Sequence, residues 1–268
     1  MDVHTTNYTL CAMEPIIGED DRVFATIKVT PDYKNILMFI ENLKMKLGLN
    51  DEYDIQCGYE AGCLGYSLYN QLTAAGVKCV ILAPTTMLTP QGVRIKTDMR
   101  DAYMIAQCLS YGGYHVVYIP TETDDSVKEY LRMRNDHKLA LKKIKQQINA
   151  FCIRHGCCYD GTKWTLAHLK WLKKLEITNE LYRETLDEYM ASYEEQETKI
   201  ERYDKRIEEI AEQTKYHDKV KKLECFLGIK THTALSLIVE TGDFERFAKG
   251  NQYAAYLGLA PGENSSSD

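Results

Sequence analysis

The chain has 268 residues, 44% of them hydrophobic and 27% charged, with a formal net charge of −6. That length holds one large domain or a few small ones, and the apolar share excludes global disorder. Residues 1–30 lack a basic stretch followed by an apolar run, so no secretory leader is read, and no apolar run is long enough to span a bilayer. The nine cysteines are scattered through apolar runs and read as buried thiols of a reducing cytoplasm. His155, Cys157 and Cys158 stand close together, but no second Cys/His pair lies at a zinc-finger spacing. Tyrosine (19) far exceeds phenylalanine (6), which suits half-wet surfaces because the ring is apolar and the hydroxyl reaches water.

The first 120 residues read as α/β. Tyr8–Met13 and Arg22–Val29 are short apolar or alternating runs split by Gly18-Glu19-Asp20-Asp21, the pattern of a hairpin. Pro31 opens a helix with Ile36, Leu37, Phe39, Ile40, Leu43 and Leu47 at helical spacing, and Gly48 ends it. A strand is predicted over Asp54–Gly58 and a helix over Leu64–Ala75, stopped by Gly76. Val77–Ala83 is wholly apolar, as in a central buried strand. After a proline-containing loop over Pro84–Lys96, Ala102–Leu109 is helical and Val116–Ile119 is one more short strand. Alternation of strand and helix after a hairpin predicts a mixed sheet with flanking helices.

Beyond Pro120 the chain is helical. One helix covers Thr123–His155 and a short one Trp164–Leu172. In the next, Tyr182, Leu186, Tyr189, Tyr193, Gln196, Ile200, Tyr203, Ile207, Ile210, Thr214 and His217 step by four and three. This is a coiled-coil seam, whose partner is either the 123–155 helix, in an antiparallel hairpin, or a second chain in a dimer or tetramer. Charge is split along this region. Ser126–Leu175 carries twelve Lys/Arg against three Asp/Glu, whereas Glu176–Glu212 carries thirteen Asp/Glu against five Lys/Arg. The basic segment, with Lys138, Lys142 and Lys145, suits either nucleic-acid phosphates or a solvated helix face. In the last part, residues 223–229 and then 233–240 read together as helix, glycine-centred turn and helix, weakly like a phosphate-gripping helix–hairpin–helix in which Lys230 replaces the usual second glycine.

Four acids stand where the predicted sheet places chemistry. Asp2 opens the first strand, Glu60 follows another, and Asp98 and Asp101 lie three apart at the start of a helix. Taken alone, the last two are an N-terminal cap and a first-turn acid that suits the helix dipole. In an RNase H-like sheet, however, a first strand, a later strand end and a helix laid across them bring such acids together. Four hard oxygen donors suit Mg²⁺ or Mn²⁺, and paired ions clamp the attacking and leaving oxygens of a phosphodiester. Lys96 and Arg100 beside them suit the DNA backbone.

The strings MDVHTTNYTLC, YEAGCLGYSLYNQL, VILAP and GVRIKTDMRDA, followed by FLGIKTHTALSLIVETGDFERF and YAAYLGLAPGENSSSD, resemble the DEDD-motif insertion-sequence transposases. That group includes site-specific invertases and bridge-RNA-guided recombinases. The resemblance covers nearly the whole chain. It implies a RuvC-like catalytic domain over 1–120, a helical linker and coiled coil over 121–218, and the start of a helical transposase domain over 219–268. It places the four catalytic acids on Asp2, Glu60, Asp98 and Asp101, all metal ligands. The serine nucleophile falls on Ser266, with Ser267 where glycine is usual and Ser265 as the alternative. The implied activity is DNA cleavage and strand exchange through a phosphoserine link, with DNA and a structured noncoding guide RNA as partners. Such proteins carry several apolar residues before the first aspartate and continue past the serine. Here Met1 alone precedes Asp2 and the sequence stops at Asp268, so the expectation is that the chain as given does not recombine DNA by itself. The rival readings are a metal-dependent nuclease with water as nucleophile and a non-catalytic coiled-coil remnant that binds nucleic acid.

Overall fold

The structure is a computed structural model that describes residues 1–16, 18–48, 54–87 and 97–260. The chain divides into two units, the first ending at Ile119 and the second starting at Pro120.

The first unit is mixed α/β. Strands β1 (Asp2–Val3), β2 (Tyr8–Glu14) and β3 (Arg22–Val29) form an antiparallel sheet in that order. Strands β4 (Gln56–Glu60) and β5 (Lys78–Leu82) pair in parallel. The Met1 nitrogen donates to the Gly58 carbonyl oxygen at 2.8 Å, which sets the start of β1 beside β4. Because β1 is short, it pairs only with Tyr8 and Thr9 of β2. A cavity of about 430 Å³ lies between the rest of β2 and the start of β4.

Helix α1 (Tyr33–Leu47) begins at an Asp32 cap, whose side chain accepts from the Lys34 N–H, and ends at Gly48 with φ of 62°. That left-handed conformation is one that glycine adopts without a Cβ penalty. Ile36 and Ile40 of α1, with Leu68 and Leu72 of α2 (Ser67–Ala74), bury against Leu10, Tyr59 and Ile81 of the strands. Helix α3 (Asp98–Tyr111) packs across β1, β2 and β4. The strand expected over Val116–Ile119 is not one: Val116 makes an isolated antiparallel bridge to Leu82, and Val117 N–H donates to Ile81 O. That single bridge is too short to propagate a ladder; the apolar sequence of β5 follows instead from its two covered faces, Cys79 and Ile81 packing into the cluster with α1 and α2, and Val80 and Leu82 into the one with α3.

The second unit is helical: α4 (Glu122–Arg154), α5 (Leu166–Lys174), α6 (Glu180–Ala211), α7 (His217–Glu224), α8 (Thr231–Thr241) and α9 (Gly250–Tyr256). The heptad seam on α6 faces α4 of the same chain. Arg134 pairs with Asp204, Lys145 with Glu197, and Phe151 meets Tyr182 and Tyr189, so the helices run antiparallel. The basic and acidic segments are thus two arms of one hairpin, and their opposite charges meet across it. Leu186, Met190 and Tyr193 pack with Leu141, Ile148, Phe151 and Leu172; Ile207 and Ile210 pack with Val127, Leu131 and α8.

The seam ends sooner than its spacing predicts. The helix stops at Ala211, so Thr214 and His217 fall outside it. Leaving the helix lets Tyr216 bury its ring in the α4–α8 core, while its hydroxyl donates to Asp124 Oδ1 at 2.7 Å. Among the described residues, no helix is long and apolar enough to cross a membrane.

Asp124 is the polar anchor of this end of the hairpin. Thr121 caps α4, accepting from the Asp124 N–H and donating to its Oδ2, while Lys215 and Tyr216 both reach Oδ1. Burial raises the carboxyl's pKa, but the hydrogen bonds from Lys215, Tyr216 and Thr121 outweigh it and hold the pKa below the ordinary value. A depressed folded-state pKa stabilises above the unfolded carboxylate's pKa and loses that contribution as pH falls through the lower folded value. Asp124→Asn is therefore expected to destabilise the protein by about 2 kcal/mol at neutral pH, where charge-assisted bonds are lost. The difference from the wild type should shrink below about pH 4, which thermal melts at both pH values measure.

Candidate acidic active site

The site is assembled from the sheet and the helix laid across it. Asp2 of β1 pairs with Thr9 of β2, and Thr9 pairs with Lys28 of β3. Side chains at paired positions share a face, so these three form one row. Helix α3 reaches that face through two fixings. Gly58 of β4 lies so close to α3 that an added Cβ would stand 3.2 Å from Leu109 Cδ1, and 2.8 Å from Leu82 Cδ1. Asp21, in the β2–β3 turn, accepts hydrogen bonds from Tyr103, Gln107 and Tyr111, which recur every four residues along α3. The Tyr111 and Gln107 bonds in particular hold the Asp21 carboxyl below its usual pKa.

At the head of α3, Thr97 is the N-cap; its hydroxyl accepts from the Arg100 N–H, so the capping role offered to Asp98 belongs to its neighbour. Asp98 is the first helical residue and Asp101 stands in the first turn. The Asp98 carboxylate, 39% exposed, accepts from Lys28 Nζ at 2.7 Å. This hydrogen bond and the lysine's charge, with a smaller contribution from His4, keep its pKa below the usual carboxylate range. His4 Nε2 lies 3.2 Å from Asp2 Oδ2. Ligand atoms of Asp2, His4 and Asp98 all fall within 4.8 Å of one another.

Two of the four predicted acids, Asp2 and Asp98, are therefore brought together. Glu60, exposed at the end of β4, and Asp101, half-buried one turn into α3, lie outside that group. Arg100 is exposed beside Asp101. Lys96, Ser265 and Ser266 lie outside the described residues. In the second unit, Lys138 and Lys142 are exposed on α4. Lys145 is engaged instead: it pairs with Glu197 at 2.9 Å and lies over the rings of Trp164 and Tyr193. His155 packs its ring on Phe151 and Tyr182.

Sequence reasoning missed His4 and Lys28. His4 carried a signal, because it stands two residues after Asp2 and positions two apart on an extended chain face the same way. Lys28 carried none, since its reach to Asp98 depends on the register of three strands.

The arrangement suits a cation. Two carboxylates converge with an imidazole, and one positive charge, Lys28, is already drawn to them. In the same row the Thr9 hydroxyl is wholly buried and has no hydrogen-bond partner among the described residues. Carboxylate and hydroxyl oxygens are the donors that Mg²⁺ and Mn²⁺ prefer, so the residues present fit such an ion.

Residues 220–268 match the transposase IS116/IS110/IS902 family. The chain is 33% identical over 253 residues to the transposase for insertion sequence element IS1533 of Leptospira borgpetersenii, covering 93% of this chain and 71% of that protein. It is 30% identical over 211 residues to the y4qE protein of Sinorhizobium fredii, covering 78% of this chain and 51% of the relative. With the transposase for insertion sequence element IS1111A of Coxiella burnetii it shares 25% identity over 201 residues, 68% of this chain and 52% of the relative. The match to the first of these takes in most of both chains, and on it the chain belongs to the IS116/IS110/IS902 family of transposases.

Proposed function

We propose that the protein cuts and rejoins DNA at insertion-sequence ends through a serine–phosphate intermediate, assisted by a divalent-metal site on an RNase H-like, RuvC-like sheet. The observation that carries this reading is the meeting of Asp98 with Asp2, two carboxylates 96 positions apart in the numbering, at one cation-attracting point. The sheet supports it as well. The β3-β2-β1 and β4-β5 sheets, set side by side by the Met1–Gly58 hydrogen bond and with α3 laid across β1 and β4, are consistent with an RNase H-like arrangement.

In this reading Asp2 and Asp98, with His4 beside them, would hold the ion, while Glu60 and Asp101, which stand outside that group, are the other two acids of the set. A Mg²⁺ or Mn²⁺ ion held there would supply positive charge against the negative charge that develops on the phosphoryl oxygens. The Ser266 hydroxyl, or that of Ser265, is the nucleophile. Its oxygen bonds to phosphorus as the bond from phosphorus to one strand oxygen breaks. The serine proton passes to solvent, and the leaving oxygen is protonated. A hydroxyl of a second strand later displaces the serine.

DNA is the substrate, and a structured noncoding guide RNA is the second partner, base pairing then reading sequence while protein cations read phosphate. Arg100, Lys138 and Lys142 are exposed and suit that role, with Lys96 beside the acids in sequence; Lys145 is already balanced by Glu197. A homo-oligomer is expected because two DNA ends must be held together.

The test is to trap DNA-linked protein with denaturant after the intact transposase meets its element DNA and RNA in Mg²⁺. Wild type should yield an adduct at a serine, and Ser266→Ala should abolish it, or Ser265→Ala if the neighbour is the nucleophile. Continued cutting by both variants would show that water is the nucleophile and that the protein is a nuclease.

A further inference from the structure

The acidic site contains its own cation. Asp2, Thr9 and Lys28 form one row across the sheet, and Asp98 comes down from α3 to take the Lys28 ammonium at 2.7 Å. The oxygen that accepts from Lys28 belongs to a carboxylate of the group whose donor atoms lie within 4.8 Å of one another. A divalent ion held by that carboxylate would therefore stand a few ångströms from a full positive charge. The two repel even at the dielectric constant of water, and nothing about Lys28 prevents it from leaving. Its side chain is 52% exposed, on a strand that pairs on one side with β2. Lysine is suited to such an exchange because its charge sits at the end of a flexible stem, with no fixed bidentate geometry to break.

We propose that Lys28 is the resident counter-cation of Asp98: it occupies the carboxylate while the site is metal-free and gives way when a divalent ion binds. The lysine thereby keeps intrinsic metal affinity low, and binding of the ion releases an ammonium group at the rim of the site. The anion nearest in chemistry to meet it is a DNA phosphate, so metal loading and DNA capture are coupled through one side chain. This inference rests on the acidic-site reading above and assigns to β3 a part that the four acids do not include.

The experiment is a titration of the intact protein with Mn²⁺ alone, free ion being read by electron paramagnetic resonance. No activity is needed. Lys28→Met removes the competing charge and should tighten Mn²⁺ binding by about tenfold, the size expected for one neighbouring charge beside a divalent ion in a wet site. Lys28→Gln should behave alike, which guards against an effect peculiar to one variant. Lys28→Arg keeps the charge and adds a bidentate grip on the carboxylate, so it should bind Mn²⁺ no more tightly than wild type. Asp98→Asn should remove the site in either background. Weaker or unchanged binding in both neutral variants overturns the role of Lys28. If wild type binds Mn²⁺ through Asp98 all the same, the acidic-site reading survives that result. Absence of Mn²⁺ binding from wild type and neutral variants alike overturns both.

Discussion

Asp98→Ala should lower DNA–protein adduct formation by the intact transposase on the order of a thousandfold, the scale set by removing a group that stabilises developing phosphoryl charge. It should leave the fold in place. The carboxylate is 39% exposed and its partner Lys28 52%, so their ion pair is screened by water and adds little to stability. The helix start is held independently: Thr97 caps it, and Asp21 grips three residues further along α3. A large fall in activity with an unchanged thermal melt therefore separates a chemical role from a structural one. Asp2→Ala should match it, because Asp2 supplies the other converging carboxylate. An adduct yield near wild type in the Asp98 variant would reduce the pair to ordinary helix-end charges.

What the sequence revealed of this site, and what it hid, follows from the range of the interactions. The hairpin, the helix ended by Gly48 and the long α4 and α6 are governed by local periodicity and turn chemistry, and each was legible from neighbouring residues. The acids of α3 were legible as a first-turn pair for the same reason. The meeting of Asp98 with Asp2 was expected only on the premise of a particular sheet. The cap was misplaced by one residue, because Thr97 and Asp98 are both good caps and only the backbone decides between them. Lys28 and Asp21 were invisible. Each acts across the fold, 70 positions from Asp98 in one case and 82 from Tyr103 in the other, and no local pattern marks them. The seam on α6 was read correctly as a seam, but its period could not choose between a partner in the same chain and one in another. Tyr216 decided where it stops, through a buried hydroxyl that finds Asp124.

That choice of partner makes Leu186→Ala informative. Leu186 is wholly buried in α6 against Leu141, Ile148, Phe151 and Leu172. Truncation removes about three carbons' worth of burial and leaves a cavity that the two long helices cannot close without losing their register. The expected cost is about 3 to 4 kcal/mol. Both tryptophans of the chain, Trp164 and Trp171, pack against the same cluster, so their fluorescence during urea unfolding reports on this end of the hairpin. Because the seam is filled by α4, the loss should appear in that unfolding transition at any protein concentration. Light scattering before and after the substitution should give the same mass. If the mass falls and the transition becomes concentration-dependent, then the seam is shared between chains, and the opposite charges of the two arms, Arg134 with Asp204 and Lys145 with Glu197, pair between subunits rather than within one.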